Sequence, residues 1–188
     1  SGILQPDGGT VLGMEKQTIS YLFQEPRLLD WKTVRGNIEF VLKRTHSKKE
    51  RHALATKYIR IVGLQNFEDY YPNQLSGGMM QRVAIARAFA YPSEILLMDE
   101  PFKGLDPHMK KSVIQAFLHL WEEDRRTVLF VTHDIQEAVS LGDEIYLLSS
   151  LPAQIRKQFT IPIPQPHRSE TLPPLREIIA QIQKEFEE

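Results

Sequence analysis

The chain has 188 residues, 41% of them hydrophobic and 25% charged, enough for one domain with a real core. A net charge of −1 gives no general pull toward nucleic acid or an anionic membrane, and the absence of cysteine excludes disulfides and thiolate metal sites. No apolar run approaches the roughly 20 residues of a membrane span, and there is no internal repeat or low-complexity tract.

In chain order, Ile19 to Phe23 reads as a strand, left through the loop Gln24-Glu25-Pro26. From about Val34 to Tyr70 the pattern is helical and amphipathic, without strand alternation. Its basic cluster, Lys43-Arg44 and Lys48-Lys49-Glu50-Arg51-His52, reads as a solvated helix face because Glu50 is interleaved. Leu75-Ser76-Gly77-Gly78-Met79-Met80-Gln81-Arg82 then opens a helix rich in Ala, Met, Arg and Gln. Strands recur at Ile95 to Met98, Thr127 to Val131 and Ile145 to Leu148. Helices between them are signalled by Pro107 and by Thr132 to Asp134, the latter helix running to Leu141. This alternation predicts a parallel α/β sheet. Ile155 to Phe159 is an extra strand, five prolines between Pro162 and Pro174 mark a loop-rich connection, and Leu175 to Phe186 forms a terminal helix with apolar Ile178, Ile179, Ile182 and Phe186. His46, His52, His108, His119 and His167 show no metal-ligand spacing.

Two stretches carry chemistry. Ser76 is a good N-cap, and Gly77 and Gly78 lack side chains, so an anion can approach free N–H groups at the positive end of a helix. Ile95-Leu96-Leu97-Met98 is a continuous apolar run, as expected of a parallel strand buried on both faces. Asp99 and Glu100 follow at its carboxyl end, where open α/β sheets place ligands. Two adjacent carboxylates can divide the labour, one holding Mg²⁺ through its water shell and the other polarising an attacking water.

With these motifs in place, the chain resembles the ATP-binding subunits of ABC transporters. Leu75 to Arg82 resembles their signature motif, and Ile95 to Glu100 their Walker B strand with its catalytic glutamate. Ile19 to Gln24 resembles the strand ending in the Q-loop, Gly104-Leu105-Asp106 the D-loop, and Val128 to Asp134 the strand ending in the switch histidine. The resemblance implies a P-loop NTPase (RecA-like) parallel sheet with an inserted α-helical subdomain. Residues 1–24 and 91–165 would form the ATPase core, 25–90 the helical subdomain with the signature, and 166–188 a helical tail.

It also implies roles. Asp99 would hold the Mg²⁺ shell, Glu100 would be the general base, and His133 would contact the γ-phosphate and orient the water. Gln24 would touch Mg²⁺ or water and report the nucleotide state. Ser76, Gly77 and Gly78 would bind the γ-phosphate held by an opposite subunit, Gln81 would belong to the same ATP-binding set, and Asp106 would cross the interface. Partners implied are a second copy arranged head to tail, a transmembrane permease, and indirectly a periplasmic or extracellular solute-binding protein. The place implied is the cytoplasmic face of the membrane. Trp31 and its neighbours are candidates to dock the permease. The stretches Phe23 to Trp31 and Ser149 to Ile155 resemble importers of the nitrate, sulfonate and taurine type, a group that includes pyrimidine-precursor importers.

The chain also departs from the pattern. A P-loop needs Gly-x-x-x-x-Gly-Lys and then Ser or Thr, and no Gly-Lys pair occurs here. The opening Ser1 to Thr10, without a Met, resembles the segment just after the P-loop helix. The expectation is therefore an N-terminally truncated subunit, without phosphate cradle or adenine-stacking aromatic, inactive by itself. With the P-loop strand expected beside the Walker B strand, its lack is expected to leave unpaired edges and to cause self-association or a rearranged sheet. Lys103 and Gly104 stand where relatives carry small residues, and Asp30 where close relatives carry Pro. Two other readings are a soluble ABC-type ATPase acting on DNA or ribosomes and a non-catalytic interaction module. The short helical region, with no coiled-coil insertion, argues against the first.

Overall fold

A computed structural model describes residues 6–14, 17–168 and 172–187. The chain divides into two compact units, Ser1–Val131 and Thr132–Glu188.

The first unit is built on a parallel sheet of β1 (Ile19–Leu22), β2 (Ile95–Asp99) and β3 (Thr127–Val131), in that spatial order. The register sets Leu22 beside Met98 and Met98 beside Phe130. Four helices accompany it: α1 (Val34–Val41), α2 (Lys48–Ile61), α3 (Gly77–Ala90) and α4 (Pro107–Glu123). Each begins at a residue suited to satisfy free N–H groups. Thr33 accepts from Gly36 N–H at 3.1 Å. Ser47 and Glu50 form a reciprocal capping box at α2, whose basic residues stay exposed apart from half-buried Arg51. Asp106 caps α4 with Pro107 in its first turn.

Helix α3 is the hub, packing against α1, α2, α4 and β1. Val83, Ala84, Ile85, Ala86 and Phe89 are all buried, so the helix is apolar nearly all round and its alanines let neighbours come close. Ile38, Leu42, Ile59 and Leu64 fill the helical side of the core, and Leu96, Met98, Phe102 and Leu120 the sheet side. Each such side chain contributes about 1.5–3 kcal/mol by leaving water. Phe117 makes edge-to-face contacts with Phe89 and Phe102 at 5.9 and 6.3 Å between centroids.

Two expectations about the sheet are corrected. β2 is not buried on both faces: Leu96 and Met98 are covered, but Ile95 and Leu97 are half-buried, and on the same face Leu129 and Val131 of β3 stand 60% and 59% exposed. Nor does the Walker B strand have an open edge, because β1 and β3 pair with it on both sides. Among the described residues the unpaired edges are the outer ones of β1 and β3.

The second unit holds α5 (Ile135–Leu141), β4 (Glu144–Leu148), β5 (Ile155–Thr160) and α6 (Pro173–Glu187). Val139, Leu147, Phe159, Ile161, Leu175 and Ile182 form its core. Strand β4 does not extend a parallel sheet: it pairs antiparallel with β5, Ile145 opposite Phe159, because only a short turn joins them. Pro173 and Pro174 belong to the first turn of α6 rather than to the preceding loop, as their fixed φ and missing N–H allow. Phe186 of that helix is exposed. No helix among the described residues is long and apolar enough to cross a membrane.

Candidate functional site

Asp99 is the last residue of β2, and its side chain is exposed. Glu100 then leaves the strand with φ +42°, a left-handed conformation that disfavours a side chain by roughly 1 kcal/mol. Hydrogen bonds on both flanks hold it there: Glu100 N–H donates to the Val131 carbonyl at 2.9 Å, and Lys103 N–H donates back to the Glu100 carbonyl at 3.2 Å. The resulting turn brings the Lys103 ammonium onto the Glu100 carboxylate as an ion pair. Pro101 and Phe102, inside the turn, are buried.

Because β1 and β2 are parallel with Leu22 beside Met98, Gln24 and Asp99 leave the same end of neighbouring strands, which lie about 4.8 Å apart. Gln24 is exposed. The segment after it is fixed from α3. The Arg87 guanidinium donates to the carbonyls of Pro26 (2.9 Å) and Arg27 (3.0 Å). Asn37, fully buried, donates to the carbonyls of Leu29, Lys32 and Thr33 and accepts from Leu29 N–H at 2.8 Å. Burial pushes the Arg87 pKa down from its ordinary value, yet a guanidinium stays charged.

The start of α3 is open. Ser76 Oγ accepts from Met79 N–H at 3.3 Å. Gly77 has nothing within 4 Å of where a Cβ would stand, whereas a Cβ on Gly78 would meet Met109 Sδ at 3.1 Å. Gly77 thus leaves the helix end accessible, and Gly78 lets the first turn of α4 pack against it. Asp106 sits at that neighbouring helix start, its carboxylate accepting from His108 and Met109 N–H at 3.0 Å each. Gln81 points inward, 3% exposed, its amide donating to the Pro101 carbonyl at 2.6 Å. It ties the start of α3 to the turn after Glu100. Arg82 ties the same helix to the end of α2 through the Val62 carbonyl at 3.0 Å.

The structure therefore brings Gln24, Asp99 and Glu100 to one sheet end, and Ser76, Gly77, Gly78 and Asp106 to two adjacent helix starts. His133 belongs to the second unit; it is exposed, ahead of an α5 capped by Asp134, which accepts from Gln136 and Glu137 N–H. An exposed carboxylate with an amide oxygen just past the end of the neighbouring strand is a hard-oxygen set that suits Mg²⁺, which takes few protein ligands and keeps waters. Among the described residues no three His, Cys, Asp or Glu side chains cluster, so nothing resembles an all-protein metal cage. Arg87 carried no sequence signal for its positioning role, since the carbonyls it holds lie 60 and 61 residues away; the partners of Asn37 are only 4 to 8 residues away, but its bonds depend on the course of the loop before α1.

A parallel sheet whose central strand ends in two carboxylates, beside a glycine-opened helix, has the fold of P-loop NTPases in their ATP-binding-cassette form. A dimeric ATP-binding cassette, solved in a post-hydrolysis state bound to ADP and Pi, matches with a TM-score of 0.64 at 34% identity, covering 76% of this chain and 62% of that one. A nitrate import ATP-binding protein of Synechocystis sp. is 44% identical over 165 residues, 87% of this chain and 62% of the relative. An aliphatic sulfonates import ATP-binding protein of Bacillus cereus is 40% identical over 169 residues, 89% of this chain and 65% of the relative. The ABC transporter family model matches residues 1–103, and the chain belongs to that family. It spans a little under two thirds of the length of these two relatives.

Proposed function

We propose that this chain is part of the ATP-hydrolysing subunit of an ABC importer, acting at the cytoplasmic face of a membrane. The observation that carries the reading is the Asp99-Glu100 pair at the carboxyl end of the central parallel strand, with Gln24 leaving the neighbouring strand at the same end. In this reading Asp99 and Gln24 hold Mg²⁺, Glu100 accepts the proton of the attacking water, and His133 orients that water. Bound Mg²⁺ supplies neutralising charge for the transferring phosphoryl group. The open α3 start at Ser76 and Gly77, with Asp106 beside it, serves the ATP of a second, head-to-tail copy. Gln81 acts from inside, by positioning.

Residues 25–90 would be the helical subdomain that meets the permease. Trp31 supports this, since 73% of it is exposed on a segment otherwise pinned by Arg87 and Asn37. Cargo of the nitrate or sulfonate kind, handed over by a solute-binding protein, follows from the relatives' names alone. The 188-residue chain itself, having no Gly-Lys pair, would neither bind ATP tightly nor hydrolyse it.

The test is turnover of the whole subunit, P-loop included, with its permease. Glu100→Gln should lower kcat by about 100-fold or more. Undiminished turnover in that variant would sink the assignment. Turnover by the 188-residue chain, proportional to protein and lost in Glu100→Gln, would refute its proposed inactivity.

A further inference from the structure

We infer that Lys103 is a clasp on Glu100, a positioning residue that withholds one oxygen of the carboxylate from water and so limits turnover. The inference rests on the reading of Glu100 as the general base. The ammonium of Lys103 contacts Glu100 Oε2, and that oxygen is closed to solvent. The contact is built into the backbone. Lys103 N–H returns to the Glu100 carbonyl at 3.2 Å, Glu100 is held at φ +42° by the bond to Val131, and Gly104 takes φ +75° directly after the clasp. Buried Phe102 anchors the middle of the turn, and the Gln81 amide grips the Pro101 carbonyl. The two side chains are therefore presented to each other by a rigid turn, not by chance encounter of two flexible chains. The Lys103 side chain is itself 45% exposed, so it can swing away into solvent at modest cost.

A carboxylate must offer a lone pair to the attacking water's proton. Oε2, engaged by an ammonium and hidden from solvent, cannot do so until the pair opens, which leaves the water one carboxylate oxygen to meet rather than two. A side chain without a cation at position 103 would leave that oxygen to the water. Nucleotide binding does not pass through the pair, so the clasp acts on kcat and leaves KM for ATP nearly unchanged.

The experiment has two readouts. In the whole subunit, Lys103→Ala and Lys103→Met should each raise kcat roughly two- to fivefold, the range of a half-exposed ion pair, with KM for ATP within about twofold. Lys103→Arg, which keeps the cation, should return kcat to the wild-type value. Equal or lower kcat in Ala and Met, or Arg behaving like Met, would overturn the clasp. Wild-type turnover insensitive to Glu100→Gln would instead count against the reading of Glu100 as base. In the 188-residue chain, without nucleotide, the ¹⁵N resonance and proton exchange of the Lys103 ammonium should change on Glu100→Gln and not on Glu25→Gln. An ammonium signal indifferent to Glu100→Gln would mean that no clasp exists.

Discussion

The two ends of α3 are treated in opposite ways. At its start, Ser76 makes one cap bond and Gly77 is exposed, with open space beside it. At its finish, one buried guanidinium closes almost everything: Arg126 donates to the carbonyls of Ala88, Phe89 and Tyr91 and to Ser93 Oγ, while pairing with Asp124. The difference teaches how a single helix divides its work. A cation at the carboxyl end complements the dipole and seals the core, so the amino end can stay free for an anion.

The comparison can be broken first at the sealed end. Arg126→Met should destabilise the chain by about 3 kcal/mol, because several buried carbonyls lose their donor at once; urea unfolding would show it. At the open end, Ser76→Ala should cost about 1 kcal/mol for the lost cap, a third as much. The two glycines separate more finely. Gly78→Ala should destabilise by about 1 kcal/mol by pressing on Met109, whereas Gly77→Ala, into open space, should stabilise by about 0.5 kcal/mol while weakening nucleotide-dependent dimerisation of the whole subunit. If both glycine variants behaved alike in thermal melts, the asymmetry drawn between them would fail.

The smallest effect concerns the cap of α2, where ligands play no part. Hydrogen bonds from the Ser47 side chain and backbone hold the Glu50 carboxyl below its ordinary value. A depressed folded-state value means that the stabilisation is present above the unfolded value, near 4.3, and is lost as pH falls through the lower folded one. Glu50→Ala should therefore lower the melting midpoint slightly at pH 7 and make no difference well below pH 4.

Much of the first unit was legible in the sequence because its signals are local. The cap at Ser76, the apolar run before Asp99, and Pro107 at the first turn of α4 each announce an element within a few residues. The sheet's one-sided cover was not legible, since a continuous apolar run says that neighbours exist but not which of them are present. The antiparallel partner of β4 was hidden for the same reason: Ile145 to Leu148 is equally suited to either direction, and only the nearby β5 decides. At the site, Asp99, Glu100 and Gln24 were readable as motif positions. The grip of Lys103 on Glu100 was not, because it depends on a left-handed residue that is neither glycine nor asparagine.

Arg87 and Asn37 give the molecule a mechanical joint. With the carbonyls of Pro26, Arg27, Leu29, Lys32 and Thr33 all bonded to these two side chains, the stretch that carries Trp31 has few degrees of freedom of its own and travels with α3. Immediately before it, the Phe23 ring packs against Tyr21 and the Arg27 guanidinium, while Gln24 and Glu25 are exposed. A push on Trp31 is therefore felt by α1 and α3 together rather than absorbed by a slack loop.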